Sequence, residues 1–101
     1  MNNPLESLHE LLNSVVSAQN GSITSGPSLN STNGVQEWHI QSPAGSEIVV
    51  GVTQVALSEA VDLAGVITGD DFASRLAAAT QDKVMYISSD LKVREWDIET
   101  M

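Results

Sequence analysis

Two heptapeptides hold the chain's only two tryptophans, and they constrain its fold more than any other feature. Val35-Gln36-Glu37-Trp38-His39-Ile40-Gln41 and Val93-Arg94-Glu95-Trp96-Asp97-Ile98-Glu99 share the form V-x-E-W-x-I-x. Successive side chains of a strand point to opposite faces, so this alternation is the signature of a half-buried strand. Each copy predicts a strand with Trp and Ile turned inward, and the pair marks two equivalent places in one sheet. The flanking residues do not match, so common structural demands explain the likeness as well as duplication does.

Each heptapeptide belongs to a hairpin. The strand 35–41 runs into Ser42-Pro43-Ala44-Gly45, a turn sequence, and returns through 47–53, with Ile48, Val50 and Val52 on one face. A second hairpin runs from Val84–Ser88 through Ser89-Asp90-Leu91 into 92–99. Before the first hairpin, Asn3-Pro4-Leu5-Glu6 reads as a helix start with Asn3 capping. Leu5, Leu8, Leu12 and Val15 then recur at helical spacing, Leu11 and Val16 widen the stripe, and Asn20-Gly21 ends it. His9 falls on the polar side of this helix, between Glu6 and Glu10.

Between the hairpins, Leu57, Ala60, Val61 and Ala64 predict a helix over 54–66. Thr68-Gly69-Asp70-Asp71 starts another, with Thr68 as cap and Phe72, Leu76 and Ala79 on its inner face, ending at Asp82-Lys83. Residues 20–34 are polar and rich in Gly, Asn and Ser, which predicts a mobile loop with Ile23 as a local anchor. Its two Asn-x-Ser/Thr triplets match the glycosylation pattern by chance in an Asn/Ser-rich stretch. The expected fold is α+β: an antiparallel sheet of four to five strands, built from two hairpins, with an N-terminal helix and a central helical pair packed on one face. It forms a single domain over 1–101, long enough to bury a core without staples.

Charge is the strongest compositional signal. Thirteen acids face four bases, Arg75, Lys83, Lys92 and Arg94, for a net charge of −9. Phosphate binding needs Lys and Arg, so direct nucleic-acid binding is not expected. Cysteine is absent, which excludes disulfides and thiolate metal sites. No apolar run approaches a membrane span, and Glu6 stands where a signal peptide carries positive charge, so the expected location is cytoplasmic.

Motifs for catalysis are lacking. Gly21–Gly26 has no Lys-Ser/Thr sequel for a P-loop, and neither an HExxH nor a G-x-S-x-G pattern occurs. Asp70-Asp71 reads as helix capping rather than as a metal or acid-base pair. No catalytic residue, metal or cofactor is therefore assigned. The sharper candidates are the outward positions of the two Trp strands: Glu37 and His39 with Gln41 on one, Glu95, Asp97 and Glu99 on the other. Three carboxylates on one strand face lie roughly 6.5–7 Å apart, a spacing similar to that of phosphates along a nucleic-acid strand. The plainer reading is a solvated face. If the two Trp strands pair, His39 sits beside those acids and is favoured in its charged form.

These features predict a non-catalytic, acidic, protein-binding accessory factor of inhibitor or chaperone type acting on a basic protein, with Glu37, His39, Glu95, Asp97 and Glu99 as contact residues. A nucleic-acid mimic inhibiting a DNA- or RNA-binding protein, such as a viral anti-defence protein, is the alternative. A small enzyme using His39 and a structural subunit of a larger particle are further readings. The order of helix and strands is loosely similar to secretion chaperones that bind extended segments, but their closing helix is missing here and no family is claimed. An open sheet also leaves an edge, which allows a homodimer or a bound peptide strand.

Overall fold

The computed structural model describes residues 4–97, apart from the side chains of Pro4, Ala60, Trp96 and Asp97. Helix α1 spans Pro4–Ala18, followed by strands β1 (Ser22–Asn30), β2 (Val35–Gln41) and β3 (Glu47–Val52). Helices α2 (Gln54–Ser58), α3 (Ala60–Ile67) and α4 (Asp70–Ala78) lead to β4 (Lys83–Ile87) and β5 (Val93–Asp97). The sheet order is β1-β2-β3-β4-β5. All neighbours are antiparallel except β3 and β4, which run parallel.

The α+β class and both hairpins match the sequence pattern, but the sheet is mixed rather than antiparallel. The cause lies in the connection. A parallel neighbour needs a long crossover, and the helical segment between β3 and β4 supplies it. A second correction concerns residues 20–34, which are not a mobile loop throughout. Ser22–Asn30 forms β1, paired to β2 from Ser22 opposite Gln41 to Asn30 opposite Val35.

The core lies on one face of the sheet. Trp38 and Ile40 of β2, Ile48, Val50 and Val52 of β3, and Met85 and Ile87 of β4 pack against the helices. Helix α1 contributes Leu8, Leu12 and Val16, a strict i, i+4 row, while Leu5, Leu11 and Val15 are only half-buried. Asn3, the expected cap of α1, lies outside the described residues. Among the described residues, no helix contributes to the opposite face. There the Tyr86 ring lies over Gly51 beside Val35.

The central helices depart from expectation in number and phase. One helix over 54–66 would bury Leu57, Ala60, Val61 and Ala64, yet Val61 is 86% exposed. The backbone breaks at Glu59 (φ −99°, ψ 50°), which rotates α3 relative to α2. The buried set becomes Ala56, Leu63 and Ile67. Thr53 caps α2 by accepting from the Ala56 N–H. Thr68 does not cap α4: its Oγ1 donates to the Ala64 carbonyl at 2.8 Å and closes α3 instead. The N-cap of α4 is Gly69, and Phe72, Leu76 and Ala79 are buried as the pattern predicts.

A buried serine helps to tie the layers together. Ser42, buried at the β2–β3 turn, donates from Oγ to the Ala79 carbonyl and accepts from the Ser46 N–H, each at 3.1 Å. Buried hydroxyls persist where both roles are filled.

Candidate functional site

The two edges of the sheet differ. Strand β1 has register shifts between Ile23 and Ser25 and between Ser25 and Ser28, and it carries Pro27, which has no N–H to offer. Bulges and proline are common devices for blunting an edge. Strand β5 pairs with β4 in continuous register from Lys83 opposite Asp97 to Ile87 opposite Val93. No described strand lies on its other side.

Beside this edge lies a shallow groove of about 520 Å³ between the α3–α4 junction and the start of β5. Gly65 and Gly69 keep the helical side low, and half-buried Val66, Leu91 and Val93 supply apolar surface. A Cβ at Gly65 would meet no atom within 4 Å, so that wall is open. Asp70, Arg75 and Lys92 form the polar rim. Leu91 adopts φ 60°, a left-handed turn residue held between β4 and β5, with its N–H on the Ser88 carbonyl.

An ion network lines the same region. Arg75 bonds Asp71 at 2.9 Å and Glu95 at 3.1 Å, while Lys83 reaches Glu95 at 3.2 Å. Hydrogen bonds to Asp71 and Glu95 raise Arg75 above its ordinary value. Burial works to raise Glu95, but hydrogen bonds and charge from Arg75 and Lys83 outweigh it and hold this carboxyl below the usual range. At the β4–β5 turn, Arg94 grips Asp90, lowering the carboxyl chiefly by that hydrogen bond.

Both carboxyls are depressed in the folded state, so their contributions are present above the ordinary carboxylate range and are lost as pH falls through the folded values. Denaturant midpoints should therefore drop as pH falls below about 4.5, the ordinary Glu value. Glu95→Gln should show a smaller drop than the parent chain. An equal drop in both would remove Glu95 from the account.

The expected contact residues do not assemble into one site. Strands β2 and β5 are second and fifth in the sheet, separated by β3 and β4, so the Trp strands do not pair. His39 accordingly lies not beside the C-terminal acids but 3.5 Å from Glu47 of β3. Glu37 accepts from the Asn30 side chain at 3.3 Å. Glu95 is not on the outward face. Its register partner is Met85 of the core, which places it on the helix-bearing side, where α4 supplies Arg75. Glu99 and the side chain of Asp97 lie outside the described residues.

Sequence reasoning passed over Gly65, Gly69, Leu91, Lys92 and Val93. The available signal was two glycines four apart in a segment of otherwise helical pattern, a position where a side chain is being kept out. Among the described residues, no group of three His, Asp or Glu is placed to hold a metal ion, and no helix is long and apolar enough to cross a membrane. Comparison with family models, curated proteins and solved structures found no match to this chain.

Proposed function

We propose that this chain is a non-catalytic protein-binding module, of inhibitor or chaperone type, that takes an extended segment of its partner along β5. The reading is carried by the contrast between a blunted β1 edge and a regular β5 edge with a groove beside it. An added strand gains main-chain hydrogen bonds from such an edge, and alternate side chains find the pocket next to it. Specificity then comes from what Val66, Leu91 and Val93 accept, which is a small or β-branched apolar side chain.

The net charge of −9 favours a basic partner by steering encounter, and association should slow as salt rises. The ion network is balanced within itself, so the steering comes from acids elsewhere, such as Glu10 of α1 and Asp62 of α3. Glu37, His39 and Glu95 do not line the groove, and Glu95 supports its wall through Arg75.

Gly65→Gln is the discriminating variant. Its Cβ enters open space on an exposed helical position, so the fold should gain roughly 0.5–1 kcal/mol from lost unfolded-state entropy. The same side chain occupies the groove. Peptides selected from a random display library on the immobilised protein should share a spaced apolar position and bind Gly65→Gln at least tenfold more weakly. Thermal melting should confirm that the variant is no less stable. Selection without a common pattern, or ligands indifferent to Gly65→Gln, would remove this reading.

A further inference from the structure

Trp38 is fully buried, and its indole N–H donates to Nδ1 of His9 at 3.0 Å. An indole nitrogen can only donate, and a buried one needs an acceptor. Neutral imidazole has one donor and one acceptor nitrogen; the charged form has two donors and no acceptor. Nδ1 therefore accepts here only while His9 is neutral with its proton on Nε2. Uptake of a second proton sets N–H against N–H, and the contact cannot survive it.

We infer that His9 and Trp38 form a pH-gated latch between α1 and the sheet, closed when His9 is neutral and released when it is protonated. The placement gives the latch leverage. His9 follows Leu8 and precedes Leu12 by three residues, and both leucines belong to the buried face of α1. Release leaves a buried donor without its acceptor and turns His9 outward, which loosens the first turns of α1 over the core.

The elements around His9 carry the following ionisable groups. Glu6 and Glu10 flank it on α1. Of the elements packed against α1, β1 and α2 carry no ionisable residue, α3 carries Asp62, and α4 carries Asp70, Asp71 and Arg75. Glu59 stands between α2 and α3, and Glu37 and His39 alternate with Trp38 onto the other face of β2. The latch is closed while Nδ1 accepts and open once that nitrogen carries a proton.

Nuclear magnetic resonance of the full chain tests this directly. At pH 8 the His9 ring nitrogens should report the Nε2–H tautomer. Between pH 8 and pH 5, exchange of the Trp38 indole proton, corrected for intrinsic rates, should accelerate about tenfold or more as the hydrogen bond is lost. The two indole signals are assigned with Trp96→Phe. His9→Gln offers an acceptor that does not titrate and should abolish the acceleration, whereas His39→Gln should retain it. An Nδ1–H tautomer, a Trp38 signal indifferent to pH, or an acceleration that persists in His9→Gln overturns the latch. Should His9→Gln fail to fold, the tautomer and the pH response of the unaltered chain decide the question.

Discussion

Trp38→Ala should lower the stability of the chain by about 3–5 kcal/mol, read as a fall in the urea midpoint with little change in slope. The side chain has no exposed surface and sits in the row that runs from Trp38 through Val50 to Met85 across three strands. Its removal leaves a cavity under α1 that the sheet cannot close, since Val50 and Met85 are held by their own strands. Domains of this size have about 5–15 kcal/mol in total, so the variant should sit close to unfolding at ambient temperature. Trp38→Phe separates packing from hydrogen bonding. It keeps an aromatic ring in the row and removes the donor to His9, so its cost should be a minor part of the alanine value. Equal costs for the two variants would mean that the polar contact, not the packing, dominates.

Gly26→Ala should lower stability by about 3 kcal/mol or more, although it lies on the edge strand β1. Two effects add. Gly26 has φ 104°, where side chains other than hydrogen are strained, and an added Cβ would lie 2.6 Å from the Glu37 carbonyl oxygen and 2.9 Å from the Trp38 Cα. Both obstacles are backbone, so β1 must move away from β2 to admit a methyl group. Gly45→Ala provides the comparison. It has φ 93° but no atom within 4 Å of the new Cβ, so only the conformational part, about 1–2 kcal/mol, should appear. Urea midpoints of the two variants measure the difference. If they are equal, close backbone approach contributes nothing and β1 is held loosely.

The same residues show why some of this architecture was legible in the sequence. Strands β2 and β3 are half-buried, so their apolar residues alternate, and the Ser42–Gly45 turn fixes their register. Strand β1 gives no such signal. Most of its side chains are exposed or half-exposed, Leu29 being 57% exposed, so its sequence has no inward set to alternate. Its strand character comes from hydrogen bonds to β2, which residue types do not record. In the central segment a continuous helical phase placed Val61 inside. The single residue Glu59 breaks that phase, and a local backbone turn of this kind leaves no periodic trace.

The candidate site was less legible because it is built from distant pieces. The groove joins Gly65 and Gly69 to Leu91 and Val93, which lie far apart in the sequence. The two Trp heptapeptides encode similar strands but not similar places: one lies inside the sheet and the other at its edge. His9 was legible as a polar helix position. Its reach to Trp38 depends on how α1 crosses β2, which no local pattern contains.

The parallel pair at the centre of the sheet also differs from its neighbours in what it costs to close. The β1–β2–β3 meander and the β4–β5 hairpin each close through short turns, whereas β3 meets β4 only after the whole span from Val52 to Lys83 has been drawn in. Closing a longer loop costs more entropy and makes non-local pairing slow. The β3–β4 seam is therefore the pairing with the largest loop-closure cost in the sheet. The continuity of the whole sheet thus rests on its longest-range pairing, the one contact that joins the meander to the β4–β5 hairpin.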